Sequence, residues 1–423
     1  YQRKLGLHLY QNKMGVNAAT SIVNDGLFFG YDTGHDVANP SNITRFFPGE
    51  PTTNLITTNL ETLGTDGSGQ SSVGTRTTIA PNHVRIVDSS SNTRQSYLIQ
   101  SLTASATYTV SIQFRKISGT PTFRFQLQNY NGGSYLSTIK FTNTVETGLL
   151  DIDGWQTAKW TFTLASNANG VRIWLQDGAD YATYDHSFEL RNPQLELKGH
   201  ASNYVSGTRS DTVGLIDLKR TKAIDLGNVG FTSGQELDFD GSDDKIELGN
   251  HLNTLGSLAT FDMVFKSYDT TDLYAVMIGW GYGNNNYSSI ALGNLAGAYS
   301  DESLHVLLNS SAVQMYVTGQ GNSNFYKDNE YHHLAVTLGV NKYSIWVDGV
   351  EISFVFASGS QSIWLPELVG YNSNITAQVG QRTYGGGSGN FNGEIPVMKV
   401  YNRVLTDEEI LRNYKAYKNR FGI

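Results

Sequence analysis

The chain has 423 residues, a formal net charge of −8, no cysteine, and only 16% charged residues. Disulfides, zinc–thiolate sites and a cysteine nucleophile are therefore excluded. Because there is no lysine or arginine run, and no apolar run reaches the ~20 residues that cross a bilayer, we expect neither nucleic acid nor a membrane as a partner. Abundant Tyr, Phe and Gly, with short Thr/Val/Ile runs that end in Gly/Asn/Asp/Ser turns, indicate an all-β protein.

At the N-terminus, residues 1–20 ("YQRKLGLHLYQNKMGVNAAT") show no apolar core of a signal peptide and predict an extended arm that partners would order. The sequence leaves open whether translation begins at Met14. Residues 21–40 ("SIVNDGLFFGYDTGHDVANP") predict an opening strand, but 21–50 alone hold too little apolar surface to fold independently. We therefore assign 21–50 to the same domain as 207–423.

Residues 51–206 predict a separate β-sandwich. The block is long enough for its own core, and loop-like segments border it on both sides. Within it, "ATYTVSIQFRKIS" (106–118) alternates apolar and polar positions, and further short strands follow at the spacing of a sandwich. The simplest organisation is one jelly roll interrupted by another. The competing organisation is an arm, a binding module and a separate jelly roll in tandem.

The segment "ELDFDG" places Glu236, Asp238 and Asp240 on one face of a strand. Paired carboxylates are what retaining glycoside hydrolysis requires, so this is the sharpest enzymatic candidate. A strand that ends in an acidic turn explains the segment without catalysis, and we adopt that interpretation. The turn gathers Asp240, Asp243 and Asp244, and since calcium prefers several oxygen ligands, these residues are a candidate Ca²⁺ site. The alternative is an acidic surface turn without a cation, because no D-x-D-x-D-G ligand string is present. No other cofactor is expected.

Two loops have the composition of sugar-binding sites, in which aromatic faces stack on sugar rings and polar groups bond to hydroxyls. They are "WGYGNNNYSS" (280–289) and "YNSNITAQVGQRTYGGGSGNFNG" (371–393). The alternative is ordinary turn chemistry, because Asn, Gly and Tyr are common in turns. The candidate glycan-binding residues are Trp280, Tyr282, Asn286, Tyr287, Tyr371, Arg382 and Tyr384.

The stretch "YHHLAVTLGVNKYSIWVDGVEI" (331–352) predicts two successive hairpins, the second closed by the Asp-Gly pair 348–349. His332 and His333 are adjacent, so on a strand they face opposite sides and cannot both bind one metal. We therefore predict that both are structural and make local hydrogen bonds.

The C-terminal segment predicts a helix. Thr406, with Glu409 three residues later, has the pattern of a capping box. Acidic residues then fill the first turn and basic residues the last, which complements the helix dipole. The apolar positions Ile410, Tyr414, Tyr417 and Phe421 form a stripe that can lie against a sheet.

Residues 331–352 resemble the central hairpins of laminin-G-like, concanavalin-type jelly rolls, whose usual form is W-H-H-V-A-V-T…L-Y-V-D-G. "LDFDGSDDKIELGN" (237–250) resembles an early strand of that family. "FNGEIPVMKVYNRVLTDEEILRNYKAYKNRFGI" (391–423) resembles its last strand and trailing helix. Residues 21–40 resemble its opening strand, as found in many virion proteins of tailed phages.

Within the inserted block, "TNLI", "YTVSIQFRKISG" and "FELRNPQLELKGHASNYV" (188–205) resemble galactose-binding-like carbohydrate-binding modules. Such modules typically close with an Asp-Asn-Val strand. At the matching place this chain has Arg191-Asn192-Pro193.

These resemblances imply an all-β fold of two antiparallel β-sandwich jelly rolls, one inserted in the other, with a short C-terminal helix. They imply a non-enzymatic structural protein of a phage virion (head decoration, fibre or tail adhesin subunit) whose lectin-like domains bind host or environmental glycans. The expected partners are other virion proteins and cell-surface polysaccharide, in a homo-oligomer on the extracellular particle. The alternatives are a secreted or surface bacterial carbohydrate-binding protein and a glycoside hydrolase with a binding module.

Overall fold

The computed structural model describes residues 22–33, 49–63, 70–71, 75–88, 94–119, 123–143, 145–150, 154–177, 186–219, 221–232, 236–268, 274–283, 286–293, 304–309, 313–317, 326–340, 342–360, 376–383 and 389–423. They fall into two compact units, unit 1 within Tyr1–Glu50 and Asp211–Ile423, and unit 2 within Pro51–Ser210. The predicted all-β fold with a C-terminal helix is confirmed. In these ranges no helix combines the length and apolar character needed to cross a bilayer.

The strands are numbered in chain order, starting in unit 1 with β1 (Leu27–Asp32). Those of unit 2 are β2 (Thr52–Thr53), β3 (Gln70–Ser71), β4 (Thr75–Ala80), β5 (His83–Asp88), β6 (Arg94–Gln100), β7 (Thr107–Ser118), β8 (Phe123–Asn131), β9 (Ser134–Phe141), β10 (Gln156–Thr163), β11 (Gly170–Asp177), β12 (His186–Glu196) and β13 (Thr208–Arg209). Unit 1 continues with β14 (Gly230–Phe231), β15 (Leu237–Asp240), β16 (Ile246–Gly249), β17 (Ala259–Ser267), β18 (Ala275–Gly283), β19 (Asn286–Leu292), β20 (Leu304–Leu308), β21 (Val313–Val317), β22 (Tyr331–Gly339), β23 (Lys342–Val347), β24 (Val350–Ile352), β25 (Val355–Ser358), β26 (Thr376–Val379), β27 (Asn392–Tyr401) and helix α1 (Asp407–Phe421). Single-turn 3₁₀ helices lie at Leu60–Thr62 and Asp211–Val213.

Unit 1 is built from two antiparallel sheets that share one core. Counted over the described residues, the first sheet has eight strands in the order β14-β15-β27-β17-β22-β23-β24, with β1 also paired to β27. The second has seven strands in the order β16-β26-β18-β19-β20-β21-β25. Alternate side chains of the two sheets meet in the core, for example Phe261 and Met263 of β17 with Val306 and Leu308 of β20. Since side chains alternate along a strand, the residues between them point to the outer faces of the sheets.

The stretch 331–352 forms the two predicted hairpins, because β22 pairs with β23 and β23 with β24. In the second turn, Asp348 has a φ of 50° and Gly349 a φ of 77°. Two positive φ values are typical of the type I′ turn that Asp-Gly favours. His332 Nδ1 lies 2.8 Å from Asp348 Oδ2, and His333 Nε2 lies 3.1 Å from Asp262 Oδ2. Both histidines therefore make the hydrogen bonds predicted for them, but the partner of His333 lies on β17, 71 residues away, and is not local.

Helix α1 begins at the capping box predicted from the sequence. The hydroxyl of Thr406 accepts from the N–H of Glu409, and the carboxylate of Glu409 accepts from the N–H of Thr406. The buried residues of the helix are Ile410, Asn413 and Tyr417. Ile410 and Tyr417 belong to the predicted apolar stripe, whereas Asn413 reads in the sequence as a solvent-facing residue.

Asn413 belongs to a buried polar cluster between α1 and the outer face of the eight-stranded sheet. Its Nδ2 donates to Asp262 Oδ2 at 3.0 Å, and Lys399 Nζ lies 3.7 Å from Asp262 Oδ1. Lys399 also lies 4.0 Å from the ring centroid of Tyr417. We call Asp262, His333, Lys399 and Asn413 the buried polar cluster; none of their side chains is exposed to solvent.

Unit 2 is also built from two antiparallel sheets around its own core. Their strand orders over the described residues are β10-β7-β12-β5-β4 and β3-β6-β11-β8-β9. Ile112 and Phe114 of β7 face Phe125 and Leu127 of β8 across this core. The short strands β2 and β13 pair with each other, so the points where the chain enters and leaves the unit are adjacent. An insertion between two strands of another domain requires such adjacency.

Candidate functional site

The outer face of the seven-stranded sheet carries buried side chains that do not belong to the core. Val276, Ala291, His305 and Tyr316 lie in register across β18, β19, β20 and β21. All four are buried although they point away from the core, and Tyr274 packs against the first two. We call this surface the outer-sheet face.

Two of the predicted glycan-binding residues meet on this face. The guanidinium carbon of Arg382, which follows β26, lies 4.3 Å from the ring centroid of Tyr287 in β19. The segment that carries Arg382 crosses close to β18 because residue 279 is glycine: a Cβ there would lie 3.0 Å from the carbonyl oxygen of Gln381. Arg382 and Tyr287 are only partly buried, so part of each faces solvent.

His305 is the histidine among the described buried side chains of this face. Its ring stacks on Tyr316 with a centroid distance of 4.5 Å, and the ring of Tyr274 lies 5.6 Å away. Burial, with a contribution from the positive charge of Arg382, lowers the pKa of His305 to about 3. The imidazole is therefore neutral near pH 7 and has one donor and one acceptor nitrogen.

Several polar atoms of this region have no hydrogen-bond partner within the part of the chain that the structure describes. They are both ring nitrogens of His305, Nε of Arg382 and Oγ1 of Thr383. The neighbouring hydroxyls are paired, since Tyr274 Oη lies 2.6 Å from Ser289 Oγ. Buried polar groups are nearly always paired, so these atoms have donor and acceptor capacity that no described residue uses.

The structure corrects the expectation for Trp280. Its ring is 1% exposed and stacks on Phe261 at 4.8 Å in the core of unit 1, so it offers no face to a ligand. The Asn/Gly composition predicts a loop at this position, but Trp280 lies within β18, where strand alternation directs it inward. Tyr282 and Asn286 lie in β18 and β19 with side chains outside the described part. Tyr371 and Tyr384 lie outside the described residues altogether.

Tyr274, His305 and Tyr316 are not among the site residues predicted from the sequence. A signal exists for two of them, because "LHVLL" and "VQMYV" alternate and place His305 and Tyr316 opposite the apolar positions. Their stacking depends on the pairing of β20 with β21, which neither short segment specifies alone.

The predicted metal ligands Asp240, Asp243 and Asp244 come together at the end of β15. One carboxylate oxygen of each lies within 4.8 Å of the others. Asp240 Oδ1 accepts from the N–H of Ser242 at 2.7 Å, and Asp244 Oδ2 accepts from the N–H of Asp240 at 2.9 Å. Burial, together with the negative charges of Asp240 and Asp243, raises the pKa of Asp244. A cation relieves such repulsion, and the oxygens left free are the ligand type that calcium prefers, so the residues fit this ion.

The acids of "ELDFDG" lie in different surroundings. Glu236 bonds to the hydroxyl of Thr33 and to Arg420, whose Nη2 lies 3.2 Å from its Oε1. Burial raises the pKa of Glu236, although Arg420 and Thr33 oppose the rise. Asp238 lies across from Glu394 of β27 instead, and burial and the charges of Glu394 and Asp240 raise its pKa.

Residues 240–411 match the family model of the Concanavalin A-like lectin/glucanases superfamily. The predicted resemblance to concanavalin/laminin-G-like domains is thus confirmed over these residues. No curated protein matches the sequence.

Similar solved structures include sugar-binding and sugar-cleaving proteins. The sialidase of Trypanosoma rangeli in complex with the inhibitor DANA is 13% identical, with a TM-score of 0.33 over 49% of this chain and 31% of that one. The NanB sialidase of Streptococcus pneumoniae is 17% identical, with a TM-score of 0.30 over 41% of this chain and 26% of that one. Domain 4 of the extracellular arabinanase AbnA from Geobacillus stearothermophilus, in complex with arabinotriose, is 17% identical, with a TM-score of 0.31 over 46% of this chain and 81% of that one. The chain spans less than a third of the two sialidases.

Proposed function

We propose that this chain is a non-enzymatic, lectin-like protein that binds glycans through the outer-sheet face of unit 1. The observation that carries the proposal is the contact between Arg382 and Tyr287 near the unpaired polar atoms of His305 and Thr383. Sugars present hydroxyls next to apolar ring faces, so guanidinium and hydroxyl groups beside aromatic rings suit them. The match of residues 240–411 to a superfamily of lectins and glucanases supports the same ligand class.

The surroundings of the acids in 236–240 support binding over catalysis. A general acid must release its proton to the substrate, and a nucleophile must approach the sugar without a competing cation. Glu236 is paired with Arg420 and bonds to the hydroxyl of Thr33, so its carboxylate is already engaged within the chain. Calcium at Asp240, Asp243 and Asp244 would hold the turn after β15 in place.

The test is a glycan array with the wild-type chain and two variants. Arg382→Gln removes the charge and the packing on Tyr287, and we expect it to weaken binding roughly tenfold, as for the loss of a charge-assisted hydrogen bond. The matched control is Arg412→Gln, because Arg412 is exposed on α1, which covers the other sheet. Equal binding by wild type and Arg382→Gln, or no bound glycan at all, contradicts the proposal.

We further propose that the chain serves on the particle of a tailed phage as a head-decoration, fibre or tail adhesin subunit. The support is the resemblance of 21–40 to the opening strand found in many virion proteins of tailed phages. Residues 1–20, the predicted arm, lie outside the described residues and would attach the chain to the particle. Deletion of 1–20 should abolish incorporation into particles, and unchanged incorporation would refute the arm.

A further inference from the structure

In unit 2, cationic side chains surround one buried acid on the outer face of β5, β7 and β12. Glu189 of β12 is 1% exposed, and its carboxylate contacts His83, Arg85 and Arg115. Arg85, Glu189 and Arg115 lie directly across the three strands from one another. Burial would raise the pKa of Glu189, but hydrogen bonds from Arg85, His83 and Arg115 outweigh it and lower the pKa to about 2. The acid is thus ionised and fixes both arginines in place.

Arg191, two residues further along β12, adds a third guanidinium to this face. Its Nε donates to Gln113 Oε1 at 2.6 Å, and its guanidinium carbon lies 3.9 Å from the ring centroid of Trp155. The guanidinium of Arg115 lies over the same indole at 4.9 Å. The pairing of β12 shifts just after Arg191, where Asn192 has a φ of 56° and donates to the same amide oxygen of Gln113 at 3.2 Å. This bulge and the amide hold Arg191 against the indole.

Among the described residues of this face, Arg85 and Arg115 share the carboxylate of Glu189, while Arg191 lies over the indole of Trp155. The chain as a whole has a net charge of −8. The guanidiniums of Arg115 and Arg191 lie over the same indole. Burial and the positive charge of Arg115 lower the pKa of Arg191, although the charge of Glu189 opposes this. The side chains of Arg85 and Arg115 are 42% and 36% exposed, which leaves them accessible to a ligand. Positive charge that is fixed, exposed and in excess is the electrostatic pattern of a site for an anion.

We propose that this arginine platform (Arg85, Arg115, Arg191 and Trp155) is a second binding site, specific for a carboxylated sugar of an acidic polysaccharide. The planar fork of arginine matches a carboxylate with two parallel hydrogen bonds. Gln113 and His83, in register beside Arg191, supply further polar groups for the hydroxyls of the same sugar. The site lies in unit 2 and does not depend on the outer-sheet face of unit 1.

The test is affinity electrophoresis of the full chain in gels that contain polygalacturonate, its methyl ester or dextran sulfate. The methyl ester has the same sugar without the charge, so it isolates the role of the carboxylate. Arg191→Gln removes the guanidinium without touching Glu189, whereas Arg172→Gln is the matched control. Arg172 lies on β11 of the other sheet of unit 2, over the rings of Tyr130 at 5.1 Å and Trp174 at 5.4 Å.

We expect polygalacturonate to retard the wild type, the methyl ester to have no effect, and added salt to weaken the retardation. Arg191→Gln should bind roughly tenfold more weakly, while Arg172→Gln and Arg382→Gln bind like the wild type. The proposal is overturned if polygalacturonate and its methyl ester retard the wild type equally, or if dextran sulfate retards it and polygalacturonate does not. Both outcomes are read on the wild type, so they do not depend on whether a variant folds. So does wild-type binding by folded Arg191→Gln, or an equal loss in Arg172→Gln.

Discussion

Asp262→Asn tests the buried polar cluster that attaches α1 to the eight-stranded sheet. Asp262 Oδ2 lies 3.1 Å from Nε2 of His333 and accepts a hydrogen bond from Nδ2 of Asn413 at 3.0 Å. Asp262 Oδ1 lies 3.7 Å from Nζ of Lys399. The substitution keeps the size of the side chain but removes its charge. It leaves the ammonium of Lys399 buried without a carboxylate and turns amide protons toward groups that are already donors.

The expected loss in the free energy of unfolding of unit 1 is about 3–5 kcal/mol, the cost of removing one partner from a buried ion pair. The double variant Asp262→Asn/Lys399→Met should lose less than the single one, because the ammonium that needs a counter-charge is then absent. Asp25→Asn is the control: Asp25 is 89% exposed and pairs with Arg403, so we expect no measurable change.

The assay is urea unfolding read by hydrogen-exchange mass spectrometry on peptides of β17 and β22, which report unit 1 separately from unit 2. A loss below about 1 kcal/mol for Asp262→Asn would refute the reasoning, because it would mean that Lys399 does not need its counter-charge. A double variant that is less stable than Asp262→Asn would also refute it.

Two further predictions concern a histidine and the acidic turn. Burial would lower the pKa of His332, but Asp348 and Asp328 outweigh it and raise the pKa above the ordinary value of 6.5. The contribution of His332 to stability is therefore complete below pH 6.5 and is lost as the pH rises through the pKa of the folded state. His332→Gln should therefore cost roughly 1–2 kcal/mol at low pH and progressively less at higher pH in urea titrations, and a pH-independent difference contradicts this assignment. Calcium should bind the wild type with measurable heat and raise its melting temperature. At a calcium concentration of a hundred times Kd, the free energy of unfolding should rise by about 2.7 kcal/mol. Asp243→Asn should abolish both the heat and the rise in melting temperature. Unchanged calorimetry and melting temperature on adding calcium would rule out the site at Asp240, Asp243 and Asp244.

Features that depend on neighbouring residues in the sequence could be predicted well. The two hairpins of 331–352 follow from alternation and the Asp-Gly pair, and the start of α1 follows from Thr406 and Glu409. Both are local, because a turn type and a capping box are specified within a few residues.

Features that depend on pairing between distant strands could not be predicted. Asn413 reads as polar helix surface, but it lies opposite Asp262 on a strand 151 residues away. Trp280 reads as a loop residue until β18 and β26 are paired, which directs it inward. The arginine platform combines β5, β7 and β12 with Trp155, and no single stretch of sequence contains it.

Hydrogen-exchange mass spectrometry with and without the best array glycan tests the central claim most directly. Glycan binding at the outer-sheet face predicts slower exchange in β18, β19 and residues 376–383, with no change in 236–240. Slower exchange confined to 236–240, accompanied by shortening of the glycan, would contradict the account, because it would show that this chain cleaves the glycan at residues 236–240.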